Sequence, residues 1–193
     1  MALSKKNISK QTLTLTLALV REDGRLLLGR KKRGFGEGKW NGFGGKVESG
    51  ESIEEAARRE LMEEAGIAVD QMFAVGRLTF TFEGNDPELD VHVFEGRVIT
   101  GEPSESEEMR PKWFDEDVIP FDEMWVDDEL WLPLFLAGKR FAGSFHFVDH
   151  DTIAHHSLIV IEGCPVCGAR DCPPGTHVEK APKSRVAKIE ALD

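Results

Sequence analysis

The most informative segment of this 193-residue chain is GKVESGESIEEAARRELMEEAGI, from Gly45 to Ile67. Within it, Ser52 is followed three residues later by Glu55, a spacing typical of the capping box that begins a helix. Gly66 fits the position just past a helix end, where glycine readily adopts the left-handed conformation. The segment therefore predicts a helix from Ser52 to Ala65.

This helix distributes its acidic residues unevenly around its axis. At roughly 100° per residue, one side collects Ile53, Ala56, Ala57, Glu60, Glu63, Glu64 and Ile67. The opposite side collects Glu54, Glu55, Arg58 and Met62. Because apolar residues share the first side, we interpret its glutamates as turned inward. The ordinary alternative is a solvated charged face.

Inward carboxylates in this number indicate a metal site. Crowded carboxylates repel one another unless a cation lies among them. Mg²⁺ prefers oxygen ligands and commonly binds a few carboxylates together with substrate phosphates. A bound Mg²⁺ neutralises phosphate charge and lowers the pKa of an attacking water, so the pattern suits cleavage of a pyrophosphate bond.

Alternating apolar and polar residues predict a sheet around this helix. Thr12 to Val20 reads TLTLTLALV, and an Asp23-Gly24 turn leads into a second run, Arg25 to Leu28. Further strand-like runs are Leu78 to Phe82, Val91 to Val98, Phe145 to Phe147 and His156 to Ile161, and a short helix is predicted from Asp127 to Leu136. The loop from Gly34 to Gly45 is rich in glycine, which suits close approach of a ligand. This order of elements predicts an α/β (α+β) sandwich.

The length and the composition divide the chain into three parts. Residues 12–161 form the expected single domain, preceded by a flexible arm, residues 1–11. Residues 162–193 are rich in Pro, Gly and Lys and are expected to form a C-terminal extension.

The charge and the cysteine usage limit the partners of the protein. A net charge of −11 argues against binding of duplex nucleic acid through a basic face, but not against a small phosphorylated substrate. No apolar run of 18 or more residues is present, so we expect no membrane span. Three cysteines and the lack of an apolar leader favour a reducing compartment. We expect a cytoplasmic monomer.

The segment opened above resembles the Nudix box, G-x5-E-x7-R-E-U-x-E-E-x-G-U, where U is aliphatic. Every defined position matches, namely Gly45, Glu51, Arg59, Glu60, Leu61, Glu63, Glu64, Gly66 and Ile67. A match of this length at fixed spacing is a specific signal. The resemblance implies a Nudix α/β/α sandwich with a mixed sheet and a Mg²⁺-dependent pyrophosphohydrolase, for which Mn²⁺ is expected to substitute.

The resemblance also assigns roles to the residues of the box. Glu60, Glu63 and Glu64 would supply metal ligands and the base that activates water. Arg59 would pair with a carboxylate, for which Glu51 is the candidate, and so hold the loop against the helix.

Segments outside the box resemble one branch of the family, the animal-type oxidised purine nucleoside triphosphatases. They are LLLGRKKRGFGEGKWNGFGGKV (Leu26–Val47), DVHVFEG (Asp90–Gly96), ESEEMRPKWF (Glu105–Phe114) and IPFDEMWVDDELWLPLFL (Ile119–Leu136). This branch hydrolyses 8-oxo-dGTP and 2-hydroxy-dATP to the monophosphate and pyrophosphate, which sanitises the nucleotide pool and avoids DNA damage. The resemblance implies that Glu108 and the Gly44 backbone complete the metal site.

By the same resemblance, Asn41, Trp125, Asp127 and Asp128 recognise the base. A purine requires a flat apolar slot, which Trp125 could form together with Phe35, Phe80 and Met109. Asn41 can both donate and accept hydrogen bonds. Two adjacent aspartates in an apolar slot repel, which favours a proton on one of them. The ordinary alternatives are core aromatic residues and a helix N-terminal pair of aspartates.

Lys31 and Lys46 are candidates for phosphate contacts, with a solvated lysine as the alternative. The chain departs from the family near the loop EGNDPEL, residues 83–89, where Leu89 replaces the usual Met. This departure leaves the preference among oxidised bases open. The resemblance suggests water attack at the β-phosphorus, but the sequence alone leaves attack at the α-phosphorus open.

The C-terminal extension contains Cys164, Cys167, Cys172 and His177. The spacing C-x2-C-x4-C-x4-H supplies four ligands suited to tetrahedral Zn²⁺. The alternative is a flexible tail with incidental thiols.

Two other functions remain open at this point. One is a Nudix hydrolase of a different substrate, such as ADP-ribose, a dinucleoside polyphosphate or an RNA cap. The other is a non-catalytic nucleotide-binding Nudix module, against which the intact acidic box argues.

Overall fold

The computed structural model of the chain describes residues 11–84, 86–170 and 173. Within these ranges, eight strands form one sheet. They are β1 (Thr12–Glu22), β2 (Arg25–Lys31), β3 (Trp40–Asn41), β4 (Ala68–Phe82), β5 (Glu88–Thr100), β6 (Met109–Asp115), β7 (Arg140–Phe147) and β8 (Ile153–Ile161). The order across the sheet is β3-β2-β1-β5-β4-β7-β8, and β6 pairs with β2.

The sheet is mixed, as predicted. The pairs β1–β5 and β4–β7 are parallel, whereas the other pairs are antiparallel. The predicted Asp23-Gly24 turn joins β1 to β2, and both of its residues have positive φ, 52° and 73°. All the predicted strands are present, and each extends beyond its predicted bounds.

Two helices cover the sheet, α1 (Ile53–Ala65) and α2 (Asp128–Leu136), and a single 3-10 turn (Phe121–Glu123) precedes α2. The residues of β1 alternate between the two cores of the sandwich. Leu19 belongs to a cluster that includes Trp131 and Phe135 of α2. Ala18 and Val20 belong to a cluster that includes Ala57, Leu61 and Ala65 of α1. In the described part of the chain, neither helix is long and apolar enough to cross a membrane.

The ends of α1 form as predicted. Ser52 N–H donates to Glu55 Oε2 at 2.7 Å, and Glu55 N–H donates to Ser52 Oγ at 3.2 Å, which completes the capping box. Gly66 ends the helix with φ 70°.

The orientation predicted for α1 is wrong in two places. Glu54, predicted on the outer side, is only 4% exposed, and its carboxylate accepts from Arg58 Nη2 at 2.9 Å. Glu63, predicted inward, has a side chain that is 58% exposed. The apolar face is centred on Leu61 rather than on Ile53, so Glu64 lies inside its edge and Glu63 lies outside it.

The loop before α1 runs along β1 and fixes the start of the box. Phe43 forms an isolated antiparallel β-bridge with Ala18. Thr16 N–H donates to the Gly45 carbonyl at 2.9 Å. A Cβ atom at Gly44 would collide with the Thr16 carbonyl, and one at Gly45 would collide with the Glu60 carboxylate. Glycine therefore permits the close approach of this loop to both β1 and the carboxylates of α1.

Candidate active site

The residues predicted to bind metal line one small cavity beside α1. Its volume is about 370 Å³, and its walls are Lys31, Gly44, Gly45, Glu48, Arg59, Glu60, Glu63, Glu64 and Glu108. The structure thus brings together five positions predicted as metal ligands, although Glu108 comes from the loop before β6 and not from the box.

Arg59 holds the acidic residues of this cavity in place. Its Nε and Nη2 atoms donate to the two carboxylate oxygens of Glu51 at 3.1 and 2.9 Å. Its Nη1 donates to Glu60 at 2.9 Å and to Glu63 at 3.1 Å. Hydrogen bonding to Arg59 lowers the pKa of Glu51. The predicted pair of Arg59 with Glu51 is present, and a bond from Nη2 to the Lys46 carbonyl at 3.2 Å ties the loop to the helix as well.

Glu64 is the most buried carboxylate of the cavity, with 4% of its surface exposed. Its Oε2 accepts Gly44 N–H at 2.9 Å, and its Oε1 lies 3.4 Å from Lys31 Nζ. Burial raises the pKa of Glu64 to about 7, and the charge of Glu60 adds to this rise, whereas Gly44 N–H and Lys31 oppose it. A carboxyl group with a pKa near neutrality can take up and release a proton at physiological pH, as a general base requires.

Glu108 is held by two cations. Its carboxylate accepts from Arg33 Nη2 at 2.8 Å and from Lys31 Nζ at 3.3 Å. The hydrogen bond from Arg33, followed by the one from Lys31, lowers the pKa of Glu108. Lys31 thus bridges Glu64 and Glu108, and 23% of its side chain is exposed. Arg33 was not predicted from the sequence.

The donor set of this cavity fits a hard divalent cation, because carboxylate oxygens and backbone carbonyls are the ligands that Mg²⁺ prefers. Among the residues that the structure describes, no three acidic, histidine or cysteine side chains form a ready-made metal cluster. The carboxylates instead face Arg59, Lys31 and Arg33. A metal ion would therefore compete with these cations for the same oxygens.

A larger cavity of about 630 Å³ contains all the residues predicted to recognise the base. They are Phe35, Asn41, Phe80, Met109, Trp125, Asp127 and Asp128, and the predicted phosphate contacts Lys31 and Lys46 line the same cavity. Gly44, Gly45 and Glu108 also line it, so it reaches the metal-ligand positions.

Asp127 and Asp128 lie at the start of α2, as the ordinary interpretation expected, but they also line the cavity. Asp127 accepts from Trp131 Nε1 at 3.0 Å, and Asp128 accepts Trp125 N–H at 3.1 Å. Burial raises the pKa of Asp127. Burial, and then the neighbouring Asp127 charge, raises the pKa of Asp128 well above its usual range. Burial of the pair therefore favours the protonated form of these carboxyl groups over the form that an exposed aspartate adopts.

Aromatic rings form the walls of the base cavity. Phe35 stacks on Trp125 with ring centroids 4.8 Å apart, and Phe80 stacks on Phe145 at 5.5 Å. Phe80 packs against the core, as the ordinary interpretation expected, and it also lines the cavity. Among the lining residues that were not predicted from the sequence are Phe82, Phe147 and His150. Alternation along β4 and β7, which places Phe82 with Phe80 and Phe147 with Phe145, was the available signal.

The predicted zinc ligands are described only in part. Cys164 is buried against the cluster that contains α1 residues, and Cys167 is exposed. Cys172 and His177 lie outside the described residues, as do residues 1–10 of the predicted arm.

A mixed sheet between two helices, with a glycine loop held against the carboxylates of the first helix, defines the Nudix fold. The NUDIX domain family matches residues 10–135, and the chain belongs to this family. The predicted fold class and the predicted family of hydrolases are confirmed.

The individual relatives point to one branch of the family. The oxidized purine nucleoside triphosphate hydrolase of Danio rerio is 58% identical over 148 residues, which cover 77% of this chain and 95% of that protein. The Mus musculus protein of the same name is 54% identical over 143 residues, 74% of this chain and 92% of that protein. Among solved structures, a MutT protein from Bacillus halodurans superposes with a TM-score of 0.68 at 28% identity and covers 76% of this chain and 97% of that chain.

Proposed function

We propose that this chain is a Mg²⁺-dependent pyrophosphohydrolase of oxidised purine nucleoside triphosphates. It converts 8-oxo-dGTP and 2-hydroxy-dATP to the monophosphate and pyrophosphate and so sanitises the nucleotide pool. The observation that carries this proposal is a single cavity lined by Trp125, Asn41 and Asp128 at the base slot and by Gly44 and Glu108 at the predicted metal site. The names of the two animal relatives support the same substrate class.

Base recognition follows from the polar groups of the slot. Asn41 Oδ1 accepts Gly42 N–H at 2.9 Å, which leaves the amide N–H₂ group of Asn41 to donate. A protonated Asp128 donates to an acceptor on the base edge, whereas an ionised one accepts from a ring N–H. A proton shared by Asp127 and Asp128 would let one slot accept both an oxidised guanine and an oxidised adenine.

The carboxylate cavity carries out the hydrolysis. Glu60, Glu63, Glu64, Glu108 and the Gly44 backbone would hold the Mg²⁺, which, when bound, would neutralise phosphate charge and lower the pKa of the attacking water. Glu64 would act as the base that accepts a proton from the attacking water, because it is the most buried carboxylate of the cavity and Gly44 N–H orients it. Arg59 orients Glu60 and Glu63 while Glu51 anchors its guanidinium.

Lysine side chains complete the phosphate site. Lys31 lies between Glu64 and Glu108, and Lys46 is exposed where the base cavity meets the loop before α1. Both ammonium groups can pair with phosphate oxygens, which offsets the net charge of −11 near the substrate. We propose attack at the β-phosphorus, which hydrolysis in ¹⁸O-labelled water followed by mass analysis of the two products would test.

A nucleotide panel assayed for pyrophosphate release tests the substrate. We expect kcat/KM for 8-oxo-dGTP and 2-hydroxy-dATP to exceed that for dGTP and dATP, and we expect little turnover of ADP-ribose or a dinucleoside polyphosphate. Equal values for the oxidised and normal purines would contradict the proposal. Removal of metal with EDTA should abolish turnover, and Mg²⁺ or Mn²⁺ should restore it.

We further propose that the C-terminal extension binds a structural Zn²⁺ with no part in the hydrolysis. The segment Cys164–Cys167 forms a tight turn in which Val166 N–H donates to Cys164 Sγ at 3.4 Å. Gly168, at φ 76°, closes the turn by donating to the Cys164 carbonyl at 2.8 Å. This turn carries Cys164 and Cys167 at the C-x2-C spacing that is typical of structural zinc sites.

Cys172 and His177 supply the remaining two ligands in this proposal. Elemental analysis of purified protein should find one zinc per chain in the wild type and none in Cys167→Ser. Hydrolysis of 8-oxo-dGTP should be unchanged in the variant. Wild-type protein without zinc would end the proposal.

The remaining proposals concern the state of the enzyme. We propose that residues 12–161 form the hydrolase domain and that the protein acts as a cytoplasmic monomer on a small-molecule nucleotide, without duplex nucleic acid or a membrane as partner. The acidic net charge supports the absence of a duplex partner. Sedimentation velocity tests the monomer, and a titration with duplex DNA tests the partner.

A further inference from the structure

The turn between β7 and β8 contributes His150, an exposed residue, to the lining of the base cavity. Val148 N–H donates to the Thr152 carbonyl at 3.0 Å. The Asp149 carboxylate accepts Asp151 N–H at 2.9 Å and the Thr152 hydroxyl at 3.2 Å. These bonds give the turn a defined shape, so it holds His150 at a defined position.

His150 connects aromatic side chains from separate elements. Its imidazole meets the Phe35 ring edge to face, with centroids 5.0 Å apart at 77°, and meets the Phe82 ring at 5.6 Å and 64°. Phe35 in turn stacks on Trp125. We refer to these four residues, Phe35, Phe82, Trp125 and His150, as the aromatic rim. Their rings form a connected series along the cavity lining, from β4 to the segment before α2.

Lys39 provides a second connection between the same parts of the chain. Its Nζ lies 3.3 Å from Asp151 Oδ1, donates to the Met124 carbonyl at 3.2 Å and lies 4.9 Å from the centre of a Trp125 ring. The turn, the glycine-rich loop and the Trp125 segment are thus joined by an ion pair as well as by ring contacts.

We propose that His150 is a positioning residue that determines base specificity: through Phe35 it closes the aromatic rim over a purine bound at Trp125. This inference rests on the proposed function, because it places the base at Trp125. Phe35 is 60% exposed, so its position depends on the few rings that touch it. Loss of the His150 ring would free Phe35 to leave Trp125, and water would then reach the polar edge of the base.

The position of His150 assigns it to binding of the base and not to the hydrolytic step. His150 lines the base cavity but not the carboxylate cavity. Its loss should therefore weaken binding and discrimination without changing the hydrolytic step. A merely structural role of His150 would lower folding stability instead, with no change in the ratio of affinities for two bases.

The test measures Kd for 8-oxo-dGMP and dGMP by calorimetry, together with kcat and KM for 8-oxo-dGTP. His150→Ala should raise Kd for 8-oxo-dGMP about two- to tenfold, which is the range of one aromatic contact. The preference over dGMP should fall, and kcat should not change. His150→Gln should behave like His150→Ala, because an amide does not replace the ring. His155→Ala is the matched control, since His155 stacks on His146 and does not line the cavity.

A double variant tests the route through Phe35. If His150 acts by holding Phe35, the Phe35→Ala/His150→Ala protein should bind 8-oxo-dGMP as weakly as Phe35→Ala alone. Wild-type affinity in His150→Ala, or additive losses in the double variant, would overturn the proposal. Failure of the proposed function gives a different result, because the wild type itself would then bind 8-oxo-dGMP no more tightly than dGMP. In that event the same cycle is measured on the nucleoside triphosphate that the wild type does hydrolyse, and the same outcomes decide the role of His150.

Discussion

Replacement of Glu64 by glutamine should stabilise the metal-free protein while it removes most of the activity. The pKa of Glu64 is raised from 4.5 to about 7 in the folded chain, chiefly by burial. The folded state therefore binds more protons than the unfolded state between these two pH values, and stability falls as the pH rises through that window. At about 1.4 kcal/mol per pKa unit, the ionised carboxylate costs at most about 3 kcal/mol above pH 7.

Glutamine avoids this cost and keeps most of the local structure. Its carbonyl oxygen can still accept Gly44 N–H, which donates to Glu64 at 2.9 Å. For a chain of this length, about 3 kcal/mol corresponds to a rise in Tm of about 6 to 12 °C at pH 8. The amide can neither accept a proton nor ligate a cation as a carboxylate does, so hydrolysis should fall by about 10² to 10⁴-fold.

Thermal melts of wild type and Glu64→Gln in EDTA at pH 5, 6.5 and 8 measure the stabilisation of the metal-free protein. The difference in Tm should be smallest at pH 5, just above the pKa of the unfolded carboxyl group, and largest at pH 8. Pyrophosphate release from 8-oxo-dGTP in Mg²⁺ measures the loss of hydrolytic activity. A variant that melts at or below the wild-type temperature at pH 8 would refute the reasoning from burial, and one that keeps more than a tenth of wild-type activity would refute the assignment of Glu64.

Three further predictions concern the neighbours of these groups. Gly45→Ala places a methyl group against Glu60, 2.7 Å from its carboxyl carbon, and should lower kcat by up to about 100-fold in steady-state assays. Asp128→Asn keeps an acceptor for Trp125 N–H but removes a buried ionisable carboxyl group, so Tm should rise at pH 8 and this gain should shrink towards pH 4. The kcat/KM preference for 8-oxo-dGTP over dGTP should fall in the same variant. Arg59→Lys keeps the charge but loses the forked bond to Glu51, and a urea titration should show a loss of about 1 to 3 kcal/mol in the free energy of unfolding.

The parts of the fold that depend on local chemistry were predictable. The bounds of α1 follow from the capping box and Gly66, which act within a few residues. The strand β1 follows from strict alternation. In contrast, the first half of β4 was missed because a bulge between Ala74 and Gly76 breaks its alternation. The strand β6 was missed because it contains Pro111 and charged residues, which give no alternating apolar pattern.

Contacts between site residues were predictable where both residues belong to one sequence motif. They were not predictable where strand pairing brings together residues that are distant in sequence. Arg59 and Glu51 are eight residues apart, and their pairing follows from the box. Lys31 and Glu108 are 77 residues apart, and they meet only because β2 pairs with β6. The burial of Glu54 could not be derived from a helical wheel, since its neighbour Arg58 compensates the charge and reaches the Val69 carbonyl.

The two buried carboxyl groups can distinguish a hydrolase from a nucleotide-binding module. Glu64 and Asp128 each accept one backbone N–H, and burial raises the pKa of each. A binding module would need Asp128 to recognise the base but would gain nothing from an ionisable Glu64. In a hydrolase, Glu64→Gln should therefore keep the affinity for 8-oxo-dGMP and lose turnover, whereas Asp128→Asn should lose discrimination between bases and keep turnover of dGTP. If Glu64→Gln left turnover in Mg²⁺ unchanged, the carboxylate cavity would not be the catalytic centre.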